Sequence, residues 1–157
     1  MSAYFENEER VEQLAASLER WHGTPFLQHH AKPGVGVDCV RFVREVFREC
    51  GVDVSSAEDL PRYGLSWGIH QAESQVLAWL LQERSLRKRF ARPEPREPWI
   101  PGDILAVRRS LSVHHVGIAG ADTHEVWHVD IPAGVTRIDW EAARGHLEIA
   151  GIFRLRA

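Results

Sequence analysis

Hydrophobic periodicity changes at Gly102. Upstream, apolar residues recur at helical spacing; downstream they alternate with a period of two. A chain patterned this way folds as α+β, helices first and strands after. The downstream candidates are residues 103–108, 114–119, 125–131, 134–139 and 148–155, rich in Ile, Val, Phe and Trp and mostly separated by short turns. Short connections favour antiparallel pairing, so the expectation is an antiparallel sheet of about five strands. Upstream, residues 7–20 read as a helix capped by Asn7, with Glu8, Glu9 and Glu12 near its positive end and an apolar stripe of Val11, Leu14, Ala15 and Leu18. Residues 39–50, CVRFVREVFREC, form an amphipathic helix, and Gly51 supplies its stop. Residues 22–38 and 53–68 read as loops, 69–90 as helix, and 91–102, with four prolines, as an extended connector. At 157 residues the chain suits a single domain, 1–157.

The charge balance excludes some functions. Net charge is −3, from 19 basic and 22 acidic residues, which argues against nucleic acid as the main partner because phosphate binding usually shows as a basic excess. No apolar run approaches the ~20 residues that span a bilayer, so membrane insertion is not expected. The first 21 residues lack a basic segment followed by an apolar one. The corresponding expectation is a chain that stays in the cytoplasm as synthesised and reaches any outside target by another delivery route. Cys39 and Cys50 are the only cysteines. Eleven residues along a helix is roughly 16 Å, while a disulfide needs Cα atoms within about 7 Å, so both are expected as free thiols.

Cys39 stands where a Gly-rich loop (PGVGVD) meets a helix. A helix N-terminus carries partial positive charge and unpaired N–H groups. Both stabilise a thiolate, and the same N–H groups can hold an oxyanion. The competing reading is a small apolar residue packed in the core, which is the reading for Cys50. A nucleophilic cysteine needs a base and a group to orient that base. Of nine histidines, His115 and His128 fall within predicted strands. His115, Gly117 and Ala119 share one face of the first; Val126, His128 and Asp130 share one face of the second. If the strands are neighbours, the two imidazoles can meet. His114 competes with His115, and only the direction of the pleat separates them.

The succession GTPF, GVDC opening a helix, PGD opening a strand, HHVGIAG and VWHV resembles the NlpC-type cell-wall peptidases of the papain-like superfamily. The resemblance runs from about Trp21 to Val129. It implies Cys39 as nucleophile, His115 as base and His128 as the residue that orients it, with no cofactor. It places Asp38 as a residue that contacts substrate or holds the site. Three positions depart from the family pattern: Phe26 stands where many members have tyrosine, and Val40 and Arg41 stand where many have serine and glycine. The resemblance further implies a peptide of peptidoglycan as substrate. Short members of that family without a signal peptide include phage or prophage wall peptidases and toxins injected by secretion systems, so the resemblance implies a phage-type peptidase first. The alternatives are a thiol deamidase or acyl-transfer enzyme acting elsewhere, a catalytically silent phage-tail component, and a metal-binding module.

Other features are less specific. Trp67, in a predicted loop, is a candidate lining of a substrate cleft beside Phe26. His124 and His128 are four apart but in a strand, where they do not converge, so no metal site is expected. The basic run 84–92 (RSLRKRFAR) reads first as a solvated helix face and second as a surface for an anionic partner.

Overall fold

The computed structural model describes residues 2–54, 89–93, 97–109, 112–122, 124–143 and 147–157. A 3-10 turn, Tyr4–Glu6, leads into α1 (Glu8–Trp21). Asn7 caps α1 by accepting a hydrogen bond from the Arg10 amide. A two-stranded ribbon, β1 (Ala31–Lys32) and β2 (Gly36–Val37), interrupts the predicted loop. Then comes α2 (Cys39–Glu49). Its C-terminus closes in a Schellman arrangement: the Gly51 amide bonds Arg48 O, the Val52 amide bonds Phe47 O, and Gly51 takes φ +79°. The predicted loop 53–68 and helix 69–90 fall mostly outside the described residues.

The second half is strand-rich, as the period-two pattern demands. β3 (Phe90–Ala91), β4 (Ile104–Arg109), β5 (Ser112–Ala119), β6 (Glu125–Asp130), β7 (Gly134–Asp139) and β8 (Glu148–Leu155) form one antiparallel sheet in the order β3-β8-β4-β5-β6-β7. A single turn of helix, α3 (Trp140–Ala143), links β7 towards β8. The sixth strand, β3, is a two-residue edge, too short to show alternation in sequence. The α+β expectation holds.

α2 packs on α1, β5 and β6. Val40, Phe42, Val43, Val46 and Phe47 from α2 are fully buried with Val116 and Ile118 of β5 and with Trp127 and Val129 of β6. A smaller cluster of Leu105, Val126 and Trp140 is joined by Trp99, Ile138 and Ile152. Alternate residues of β6 thus enter different clusters, as its pleat requires. Gly102 marks the entry to β4. It takes φ +81°, and a Cβ there would lie 2.0 Å from Phe5 Cδ2, so both backbone and packing demand glycine. The next residue, Asp103, is buried and accepts two hydrogen bonds from Arg154, at 3.0 and 2.8 Å, and one from the Ile100 amide. Burial is the largest influence on its carboxyl and pushes the pKa up, against the pull of those donors.

Candidate active site

The helix start is built around Asp38. Its carboxylate caps α2 by accepting from the Arg41 amide at 2.9 Å. The other oxygen accepts from Arg41 Nη1 at 2.6 Å and from the His29 amide at 2.8 Å. His29 reaches this position with φ +64°, a left-handed conformation rare for a non-glycine residue. Asp38 is fully buried and Arg41 nearly so. This carboxylate therefore holds the loop to the helix, and its oxygens are occupied by the chain's own donors. Nothing in the sequence reports the His29 bond, because it depends on the path of the loop. The signal that could have found the Arg41 pair is its i, i+3 spacing from Asp38.

Cys39 is the first residue of α2, where the helix offers its amide no carbonyl partner. It is 8% exposed. Phe26 is half-buried, bridges to Val37 beside it, and packs against the main core. Val40 lies wholly inside the core. Trp67 lies outside the described residues.

The strand pair carries the imidazoles. His115 Nε2 and His128 Nδ1 are 2.8 Å apart, with the rings edge-on at 83° and centroids 5.0 Å apart. Two local features bring them together. First, the β4–β5 register pairs Val107 with His115 but Arg108 with Val113, so His114 is passed over as the extra residue of a bulge. On the β8 side the register shifts between Ala106 and Val107 as well, so β4 is irregular on both flanks beside His115. Second, Gly117 lies between the two histidines on their shared face. A Cβ at 117 would stand 2.9 Å from Val126 Cγ1, 3.0 Å from Trp127 O and 3.7 Å from His128 Cβ. Glycine lets β6 close on β5 at this point.

The structure thus joins His115 to His128, and it starts α2, which packs on their strands, with Cys39. Cys50, at the far end of the helix, is 2% exposed. Burial, aided by the charge of Glu49, pushes its thiol pKa up to about 12, so it stays a protonated core residue. Both cysteines are free thiols. Among the described residues no group of three or more His, Cys, Asp or Glu is placed to hold a metal ion. No described helix is long and apolar enough to cross a membrane. A separate concavity lined by Asp122, His124, Glu125, Arg137, Ile138 and Asp139 contains none of the candidate residues.

This arrangement of helices and sheet is the papain-like fold of NlpC/P60 domains. Over the whole chain it is similar to a Staphylococcus aureus subsp. aureus Mu50 protein described as similar to lipoprotein, NLP/P60 family, with a TM-score of 0.60 and 17% identity, covering 45% of that chain. Over 94% of this chain and 98% of the other, it is similar to the NlpC/p60 domain of the peptidoglycan hydrolase SagA, with a TM-score of 0.50 and 17% identity. NlpC1 from Trichomonas vaginalis is similar over 96% of this chain and 45% of that protein, with a TM-score of 0.60 and 14% identity. The chain therefore spans just under half the length of the first and third of these proteins. No family model and no curated protein sequence matches the chain.

Proposed function

We propose that the chain is a cysteine hydrolase that cuts an amide bond in a peptidoglycan peptide, with Cys39 as nucleophile, His115 as base and His128 as the residue that positions it. The observation that carries this reading is the His115–His128 hydrogen bond on strands packed under the helix that Cys39 opens. Its polarity matters. With the proton on His115 Nε2, donated to His128 Nδ1, His115 Nδ1 keeps a lone pair and serves as the base. A neutral partner orients the base without supplying a counter-charge.

In this mechanism the Cys39 proton passes to His115 Nδ1. The thiolate attacks the amide carbonyl carbon, and the carbonyl π electrons move onto oxygen. The amides at the start of α2 stabilise that oxyanion. The C–N bond breaks as His115 gives its proton to the leaving amine. Water, deprotonated by the same imidazole, then hydrolyses the thioester and restores the thiol. The reaction needs no cofactor. Phe26 is assigned to the substrate side, while Asp38 acts from within by holding the helix start. Delivery to the wall by a phage or a secretion route belongs to the same proposal.

One observation favours a second reading. The Asp38 carboxylate is enclosed and matched by Arg41, and Val40 faces the core. Neither is placed to receive a charged substrate amine, which suits a thiol deamidase or acyl-transfer enzyme on another substrate. Mass spectrometry of purified muropeptides incubated with wild type and with Cys39→Ala separates the two. Peptide cleavage by wild type alone is the expected result. Ammonia release from an intact chain would favour the deamidase, and identical spectra with both proteins would overturn the peptidase.

A further inference from the structure

Five arginines pair with a described acid. Arg20 pairs with Glu49, Arg41 with Asp38, Arg48 with Glu45, Arg137 with Glu19 and Glu125, and Arg154 with Asp103 and Glu97. Arg10, Arg89, Arg92 and Arg156 do not. Among the described residues no carboxylate lies within the 4.0 Å of an ion pair with any of them, Glu6, Glu8 and Glu9 of the neighbouring turns included. These four belong to one part of the surface. The Arg10 and Arg89 guanidinium carbons lie 4.0 and 5.5 Å from the centroid of the same ring, that of Tyr4. Arg89 also donates through Nε and Nη2 to Arg156 O, at 3.1 and 3.0 Å. Arg156 bridges to Ala3, next to Tyr4. Arg92 lies 4.9 Å from the Phe153 centroid, beyond the β3–β8 pairing.

Like charges held together cost free energy unless something offsets the repulsion. For Arg10, Arg89 and Arg92 the offset comes from ring faces and carbonyl oxygens, which hold guanidinium groups without neutralising them. The chain as a whole is acidic, at −3, so the clustering does not follow from an overall basic excess. Each guanidinium retains N–H donors beyond those used internally. The result is a preorganised set of cations at the β3–β8 edge of the sheet, while the paired histidines lie on β5 and β6.

We infer that this surface binds a phosphodiester-linked polyol polymer of the cell wall and tethers the enzyme to the material it cuts. The choice of a wall polymer rests on the function proposed above. The surface itself argues against nucleic acid. Tyr4 and Phe153 are covered by guanidinium groups and Phe90 packs against Phe47 of the core, which leaves no open platform for stacking bases. Four neutralised phosphates on a flexible strand, at about 0.7 each, give a log–log salt slope of about −3.

The test is fluorescence anisotropy of the full chain with a labelled poly(glycerol phosphate) oligomer across a salt series. A thymidine oligonucleotide with the same number of phosphates is run beside it. Affinity for the polyol polymer should fall about 50-fold between 50 and 200 mM salt. Arg10→Gln and Arg89→Gln should each make the slope shallower by about 0.7, while Arg10→Lys and Arg89→Lys keep it. Hydrolysis of a small soluble muropeptide should be unchanged in all four variants. Absence of salt-dependent binding, or an unchanged slope in the glutamine variants, would overturn the inference. Equal or tighter binding of the oligonucleotide would overturn it too, and assign the surface to nucleic acid. Binding by a wild-type protein that cuts no muropeptide would uphold the tether and count against the peptidase.

Discussion

One helix carries two cysteines, both buried in the same core cluster, at ends of opposite polarity. Cys39 opens α2 beside a buried cap, at the positive end of the helix dipole. Cys50 closes it, next to Glu49 at the negative end, sealed among apolar side chains with its thiol pKa pushed up to about 12. The residue type is the same; the end of the helix differs. Both are buried, so helix polarity is what separates a candidate nucleophile from a packing residue.

The sharpest way to break this comparison is to remove each thiol in turn. Cys39→Ala should lower turnover on muropeptides by about 10⁴-fold or more while keeping the melting transition. Cys50→Ala should leave turnover within about twofold, and a large loss there would mean that the wrong end of the helix has been chosen. Next in size is the cap. Asp38→Ala leaves Arg41 buried without its partner and unlocks the His29 loop, so denaturant melts should show a loss of about 3–5 kcal/mol. A loss under about 1 kcal/mol would show that the helix start is not held by this pair. Gly117→Ala tests the other half of the site. The added methyl group meets Val126 and the Trp127 carbonyl, at an expected cost of about 1–3 kcal/mol. A shift of the His115 and His128 imidazole resonances should accompany it.

The smallest effect concerns pH. The folded Cys50 thiol keeps its proton to higher pH than the unfolded one, whose ordinary value is 9.0. Whatever stability this supplies is intact below that value and drains away as pH rises towards about 12. Cys50→Ala should flatten this alkaline decline in a series of urea melts, and an identical decline in both proteins would contradict it.

Much of this was legible in the sequence because period and capping are local. The helix predicted at 39–50 is found at Cys39–Glu49, and the strand predicted at 134–139 is found at Gly134–Asp139. Edge strand β3 and ribbon β1–β2 escaped, since two residues cannot display an alternation. The two histidines fell on corresponding faces by pleat alone. Which of His114 and His115 meets His128 was not legible, because the bulge at His114 is set by tertiary pairing. The seclusion of Asp38 was also out of reach: a cap is visible in sequence, but its burial and the left-handed His29 depend on how the loop folds back.

The central claim is that Cys39 is activated by His115. Its most direct test is the rate of Cys39 alkylation by iodoacetamide as a function of pH, followed by peptide mass spectrometry in wild type and His115→Ala, with Cys50 as the internal control. The account expects Cys39 to react with a midpoint well below the ~8.5 of a free thiol, Cys50 to stay unlabelled until the protein unfolds, and His115→Ala to return Cys39 to an ordinary profile. An ordinary Cys39 profile that His115→Ala leaves unchanged would contradict the account.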